Sequence, residues 1–543
     1  MMQHSDPTRS SRAHGWALPV LALVLAVSAG LTGAPADKPT PAFEAGFETI
    51  TEEEVQAYVE YFASPALEGR DTPSTGLTAS LEHGAAKLES YGYRGLGPDG
   101  SFLAPWRYPR ELEAPVVDKC NAGVLLADGS SDALELGVDY VPLPGANGAV
   151  SGEVVFLGFG IHRPKDKYDD LRGGKLKGKI AMFLSEEPRH KKVLEGPEIS
   201  DAANAYEKLD DLEDEGLIGA IIVRRPAAPN LADEKQREKA APAPPQSLGF
   251  RYTWASWNDQ NVDRPKAAKL PAIEVSVAFA SELLGEDVLE LAERMDKRAK
   301  TERVDVEDVT VSFDVETKAQ PVDAHNLVGF LEGSDPELKD EVVVLGAHFD
   351  HLGMDARGRM AAGADDNGSG SAALLEVAEA LSLAKPRRSI LIAGFAGEED
   401  GLLGAYAMAN EPPVDKASMV AMLNMDMIGR GKANSVVVLG ADKNRDMEDF
   451  LERADDLEKT GIKKIITNKG GELWQRSDHY AFHSAGVPVL FFFEAVPISD
   501  NEDYHTWRDV PELVDFEKVT NTARLVYNTA WLLAQDDDRP RFQ

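Results

Sequence analysis

From residue 321 onward, short apolar runs alternate with longer amphipathic stretches. The runs fall at 342–346, 389–395, 419–424, 435–439, 463–467 and 487–493. Apolar runs of this length, bounded by turn residues, suit strands buried on both faces. The intervening stretches at 370–383, 401–410, 443–458, 478–485 and 515–534 carry apolar residues at helical spacing. Strands alternating with helices predict an α/β fold with a mixed, mostly parallel central sheet flanked by helices.

Upstream, Val55, Tyr58, Val59 and Phe62 recur at helical spacing behind Thr51 and Glu54, which have the form of a capping box. Ser64 to Arg70 breaks that helix, and a second runs from about Gly76 to Tyr91, with Gly92 as its stop. Residues 93–119 read as loop and strand material. The pattern then changes. Strands at Gly152–Ile161, Leu176–Leu184, Gly219–Val223 and Leu270–Val275, with a helix at Ala202–Glu215, predict a small β-rich domain over 141–290. A Pro/Ala/Lys/Glu-rich stretch at 225–245 reads as an exposed loop, and Glu286–Arg303 as a helix leading out. If the helices at 51–91 cover the later sheet, the β-rich domain is an insertion between 48–140 and 291–543 of one larger domain.

The N-terminus adds a different signal. Arg9 and Arg12 precede an apolar run from Trp16 to Leu31, followed by Ala34-Pro35-Ala36. This is the layout of a secretory signal peptide over 1–36, with an uncleaved membrane anchor as the alternative. It predicts a secreted or periplasmic protein with no stable membrane insertion after cleavage. Residues 37–47, rich in Pro, Ala and Thr, read as a flexible leader.

The chain has 543 residues and a formal charge of -35. Such a charge repels phosphates and argues against nucleic acid or anionic lipid as a partner. The one cysteine, Cys120, excludes an intrachain disulfide and has no neighbouring histidine to activate it, so it reads as structural.

The candidate chemistry lies at the ends of the predicted strands. His348 and Asp350 close the first, and Asp365-Asp366-Asn367 follow a glycine-rich loop. Glu398 and Glu399 follow the strand at 389–395, Asp426 follows 419–424, and Tyr504 and His505 follow 487–493. Strand ends converge in this architecture. Carboxylates gathered there repel one another unless a cation holds them, and imidazole plus carboxylate suits zinc.

AHFDH (347–351), GADDNGSG (363–370), GEEDGLLG (397–404), NMDMIGR (424–430) and DYHT (503–506) occur in that order. Together with SDHYAFHSAGVPVLFF (477–492) and YFASPALEGRDT (61–72) they resemble the co-catalytic zinc aminopeptidases, the family of secreted leucyl aminopeptidases, glutaminyl cyclases and glutamate carboxypeptidase. GEVVFLGFGI, YDDL, LKGKI and GAIIV resemble a protease-associated domain, a module inserted in many of these enzymes. The resemblance implies two zinc ions per chain: one on His348 and Asp426, one on Glu399 and His505, bridged by Asp366. Spacing alone leaves Asp365 as a competitor for the bridge; the family pattern puts the ligand directly before Asn367. Glu398 matches the general base, Asp350 the acid that orients His348, and Tyr504 a stabiliser of the oxyanion. His351 and His479 read as structural, and Asp478 as part of an orienting network. The implied activity is hydrolysis at peptide N-termini. A metallocarboxypeptidase, a glutaminyl cyclase and a non-enzymatic receptor on the same fold are the alternatives.

Overall fold

In the computed structural model, the described residues are 38–188, 190, 192–194, 200–225, 268–354, 359–467, 469, 471–494 and 498–542. The predicted signal segment 1–36 and residues 226–245 of the predicted loop lie outside them.

One sheet has nine strands. Its order is Arg94–Gly95, Thr317–Leu331, Ser389–Phe395, Val342–His348, Met419–Met425, Val489–Phe493, Ser435–Leu439 and Lys464–Ile466, with Leu103–Pro115 pairing onto Thr317–Leu331. The four strands from Ser389–Phe395 to Val489–Phe493 run parallel. All four are buried along their length, which is why their sequences are near-continuous apolar runs. His348 stands beside Phe395, and Met425 beside Phe492, so the carboxyl ends of all four meet at one edge. The mixed α/β architecture read from the sequence is present, with parallel pairing at its centre and antiparallel pairing from Ser389–Phe395 out to Arg94–Gly95 and between Val489–Phe493 and Ser435–Leu439.

Helices Glu52–Phe62, Thr75–Ser90, Gly370–Ala384 and Phe516–Gln535 share one apolar core with this sheet. Leu403–Asn410 and His479–Ser484 cover the other face. The predicted flexible leader needs correction: Pro41–Thr49 is a helix. Thr40 Oγ1 accepts from the Phe43 amide at 3.1 Å, and Phe43 is fully buried, with ring centroids 4.9 Å from Tyr527 and 4.8 Å from Trp531. Pro41 sits in the first turn, where its missing N–H leaves nothing unpaired, so its presence argues for a helix start.

A second sheet of eight strands runs in the order Ser131–Ala133, Asn121–Leu126, Arg303–Val315, Gly148–Leu157, Ile180–Leu184, Gly219–Val223, Ala272–Val275 and Tyr140–Pro142. It draws strands from both sides of 141–290. Phe156, Met182, Ile221, Ile273 and Met295 are part of its own apolar cluster. Arg303–Val315 and Thr317–Leu331 are long strands that the sequence pattern did not reveal. In Arg303–Val315 the buried Val306, Val311, Phe313 and Val315 alternate with exposed or half-exposed polar residues, so no apolar run forms. The helix predicted to end at Arg303 ends at Arg298. Cys120 is buried, and burial pushes its thiol pKa up, in keeping with a structural role. Among the described residues no helix is long and apolar enough to cross a membrane.

Candidate metal centre

The parallel strand ends deliver the predicted residues to one place. Val342–His348 ends in the His348 side chain, which is fully buried. Met419–Met425 delivers Asp426, and Ser389–Phe395 leads into the part-buried Glu398 and Glu399. Asp366 arrives on a wide turn, Ala364–Ser369, that opens the helix Gly370–Ala384.

That turn is pinned from several sides. The Asn367 side-chain amide donates to Met425 O at 2.9 Å, and its oxygen accepts from Gly370 N at 2.9 Å and Met427 N at 3.3 Å. Asn367 thereby ties the Asp366 loop to the Asp426 loop. Gly370 is required at this junction: a Cβ there would stand 2.2 Å from Asn367 Oδ1 and 2.4 Å from Met425 O. Asp509 accepts from the Asp366 amide at 2.9 Å and from the Asp365 amide at 3.1 Å. Asp365 Oδ1 accepts from Gly429 N at 2.7 Å, while Asp366 faces both His348 and His505. Arg70, buried at the end of the 61–72 segment, donates to Phe349 O at 2.8 Å, Ala362 O at 2.8 Å and Gly363 O at 3.0 Å, bracing both loops from behind.

The donor atoms form a chain. His348 Nε2 lies 3.2 Å from Asp426 Oδ1 and 3.4 Å from Asp366 Oδ1. His505 Nε2 lies 3.2 Å from Asp366 Oδ2 and 3.0 Å from Glu399 Oε2. Asp366 thus offers one oxygen to each histidine. Glu398 joins the His348–Asp426 group, and His351 joins Asp366 and Glu399. The sequence reading of His351 as merely structural missed this, although its place three residues after His348 in AHFDH was a signal. His479 stays apart, its buried ring stacked on Phe491 at 4.5 Å.

Asp350 is placed to orient its neighbours. Its carbonyl is 3.1 Å from His348 Nδ1, with its carboxylate at 3.6 Å. The carboxylate also accepts from Thr72 Oγ1 at 3.0 Å and from the Glu398 amide at 3.3 Å. Thr72 in turn accepts from Gly397 N at 2.9 Å. Tyr504 stacks on His505 with centroids 3.8 Å apart, and Arg476 donates to its hydroxyl at 3.1 Å.

The electrostatics call for cations. Burial opposes charge on His348, yet Asp426 and Glu398 outweigh it and raise its pKa well above the usual imidazole range. His505 is likewise raised to about 10 by Glu399 and Asp366 against the effect of burial. Burial, with Asp426 and Glu399, raises Glu398 well above its ordinary value. Glu399 goes the other way, because His505 and His351 outweigh its burial. In the chain by itself, protons on the two histidines compensate the carboxylates. Two imidazoles and a set of oxygen donors that need positive charge are a donor set suited to divalent metal.

Residues 326–530 match peptidase family M28. The M28 match encloses all eight predicted site residues, from His348 to His505, and bears out the resemblance read from their motifs. A probable leucine aminopeptidase of Arthroderma benhamiae is 33% identical over 205 residues, 37% of this chain and 56% of that protein. A probable zinc metalloprotease of Pyrenophora tritici-repentis is 27% identical over 264 residues, 40% of this chain and 59% of that protein. The chain spans a little over half the length of these relatives. An aminopeptidase from Aneurinibacillus sp. strain AM-1 aligns over 92% of this chain and 98% of its own, with 19% identity and a TM-score of 0.44.

Proposed function

We propose that this chain is a dinuclear zinc aminopeptidase that removes residues from the free N-termini of peptides. The observation that carries the reading is Asp366, with Oδ1 toward His348 and Oδ2 toward His505. A carboxylate presenting one oxygen to each of two histidines is the arrangement a metal-bridging ligand needs. On this reading His348 and Asp426 would hold one zinc, Glu399 and His505 the other, and Asp366 would contribute to both. Bound there, such ions would supply Lewis acidity and bring the pKa of the attacking water down towards about 7.

The chain's own residues do the rest. Glu398 takes the proton of the attacking water and returns it to the leaving amine. The hydrogen bond from its amide to Asp350 fixes where it stands. Burial, with Asp366 and Glu399 nearby, raises the Tyr504 pKa, so the phenol keeps its proton and can donate to the developing oxyanion. Arg476 donates to the same oxygen, leaving the phenol O–H free to point at substrate. Met427, Leu473, Phe491, Phe493 and Ile498 line the cleft beside Asp366, Glu398 and Asp426, which supports an apolar side chain in the substrate's first position.

The resemblance and the second sheet support an inserted protease-associated domain, and the N-terminal layout supports export. Arg476, on the same cleft, favours one second reading, a carboxypeptidase that would pair this cation with a C-terminal carboxylate.

Assaying zinc-loaded protein on leucyl-anilide, N-acetyl-leucyl-anilide and N-blocked dipeptides separates the two. The aminopeptidase reading expects turnover of the free amine alone. Hydrolysis of blocked dipeptides with the free anilide untouched would replace it with the second reading.

A further inference from the structure

The contacts around Asp366 fall into two distance classes. Four nitrogen–oxygen separations, His348 to Asp426 and Asp366 and His505 to Asp366 and Glu399, span 3.0–3.4 Å. In these four pairs each ring nitrogen is shared between two carboxylate oxygens, so it is not committed to a single hydrogen bond and can turn its lone pair to a cation. The fifth contact is different. His351 Nδ1 lies 2.7 Å from Glu399 Oε1, the length of a charge-assisted hydrogen bond, and its next carboxylate oxygen, Asp366 Oδ2, is 3.8 Å away.

We propose that His351 is a positioning residue for one pole of the site, the pole made by Glu399 and His505. This rests on the two-metal reading above. His351 Nδ1–H donates to Glu399 Oε1, which turns Glu399 Oε2 toward His505 and Asp366. The other ring nitrogen fits this tautomer. His351 Nε2 is buried with no hydrogen-bond partner among the described residues. With the N–H on Nδ1 only the Nε2 lone pair is left unmet, whereas the opposite tautomer would strand an N–H donor in the interior and set the Nδ1 lone pair against a carboxylate.

The ring is held for the task. The His351 amide donates to Arg70 O at 3.1 Å, and the side chain is fully buried. A Cβ on Gly363 would come within 2.6 Å of the ring, so the glycine there makes room for it. His351 also meets the His505 ring edge-on, centroids 5.9 Å apart. One side chain therefore restrains two donors of the same pole. The donors of the other pole are held differently: His348 Nδ1 faces Asp350, and the loop before Asp426 is tied by Asn367.

The consequence is an asymmetry that general destabilisation would not produce. Metal content per chain and the visible spectrum during cobalt(II) titration are measured for the wild type, His351→Ala and His351→Asn, with melting curves for each. The wild type takes two ions. His351→Ala keeps one at wild-type affinity, and its second affinity falls by about 10–100-fold, the usual effect of losing a ligand's hydrogen-bond partner. His351→Asn, whose amide N–H can stand where Nδ1–H stood, recovers most of the loss. Two ions bound by His351→Ala at wild-type affinity overturn the proposal, as does equal loss of both. A wild type that takes fewer than two ions overturns the two-metal reading itself, and the role of His351 with it.

Discussion

Glu398 and Glu399 are adjacent, yet their surroundings push them apart. Burial and Asp426 drive Glu398 toward holding a proton, while His505 and His351 keep Glu399 ionised. A group that must pick up a proton and one that must hold a cation are separated in this way. Glu398→Gln is expected to lower turnover by about 10²–10⁴-fold, with metal content unchanged by elemental analysis. Loss of metal together with activity would mean that the two roles are exchanged. Tyr504→Phe is expected to cost about 10²–10³ in kcat, as for one oxyanion donor; an effect on KM alone would assign Tyr504 to binding. At this scale the sequence was informative wherever a residue type and its place at a strand end coincided, as for His348 and Asp426. It could not separate Asp365 from Asp366, because the answer lies in the turn that points one at Gly429 and the other at the histidines. Nor could it give Thr72, Arg70 or Asp509 their places, since each acts across a long sequence separation through one or two hydrogen bonds.

Among the elements, two helices make testable claims. The helix Pro41–Thr49 owes its place to Phe43, which fills a pocket formed by Tyr527 and Trp531. Phe43→Ala is expected to destabilise the fold by about 3–5 kcal/mol, read from urea unfolding; an unchanged midpoint would mean that the segment is not docked. On Gly370–Ala384, Glu376 is buried and its pKa is raised to about 8, chiefly by burial, the Thr51 N–H opposing and Glu54 and Glu379 adding. An unfolded glutamate ionises near about 4.3. Between those values the folded chain holds a proton that the unfolded chain has lost, so this group's contribution to stability falls as pH rises from the lower to the higher. Glu376→Gln removes the titration, and its melting temperature is expected to decline less than the wild type's over that window. Parallel profiles for the two proteins would contradict the assignment. Thr51 illustrates a half-legible signal. Its hydroxyl oxygen caps the Glu54 amide at 3.3 Å, as the capping box predicts, but its own amide goes to Glu376 at 3.0 Å, not to Glu54.

For the whole molecule, legibility followed burial. The four central parallel strands, covered on both faces, announced themselves as apolar runs. Leu103–Pro115 reads only as loop and strand material, and the sequence pattern does not reveal the long antiparallel strands Arg303–Val315 and Thr317–Leu331; in Arg303–Val315 alternation with charged residues hides a half-buried strand. Contact between the second sheet and the turn that carries Arg70 was equally invisible: Arg224 pairs with Glu274 and stands 3.6 Å from Glu68. The site itself is a property of the whole fold, because its donors come from three parallel strand ends, the turn Ala364–Ser369 and the turn segment that carries His505. The central claim is that Asp366 joins two metal ions. Anomalous diffraction at the zinc edge from a zinc-loaded crystal tests it most directly. The account predicts two peaks about 3.5–4 Å apart, one beside each Asp366 oxygen. A single peak, or two that do not share Asp366, would contradict it.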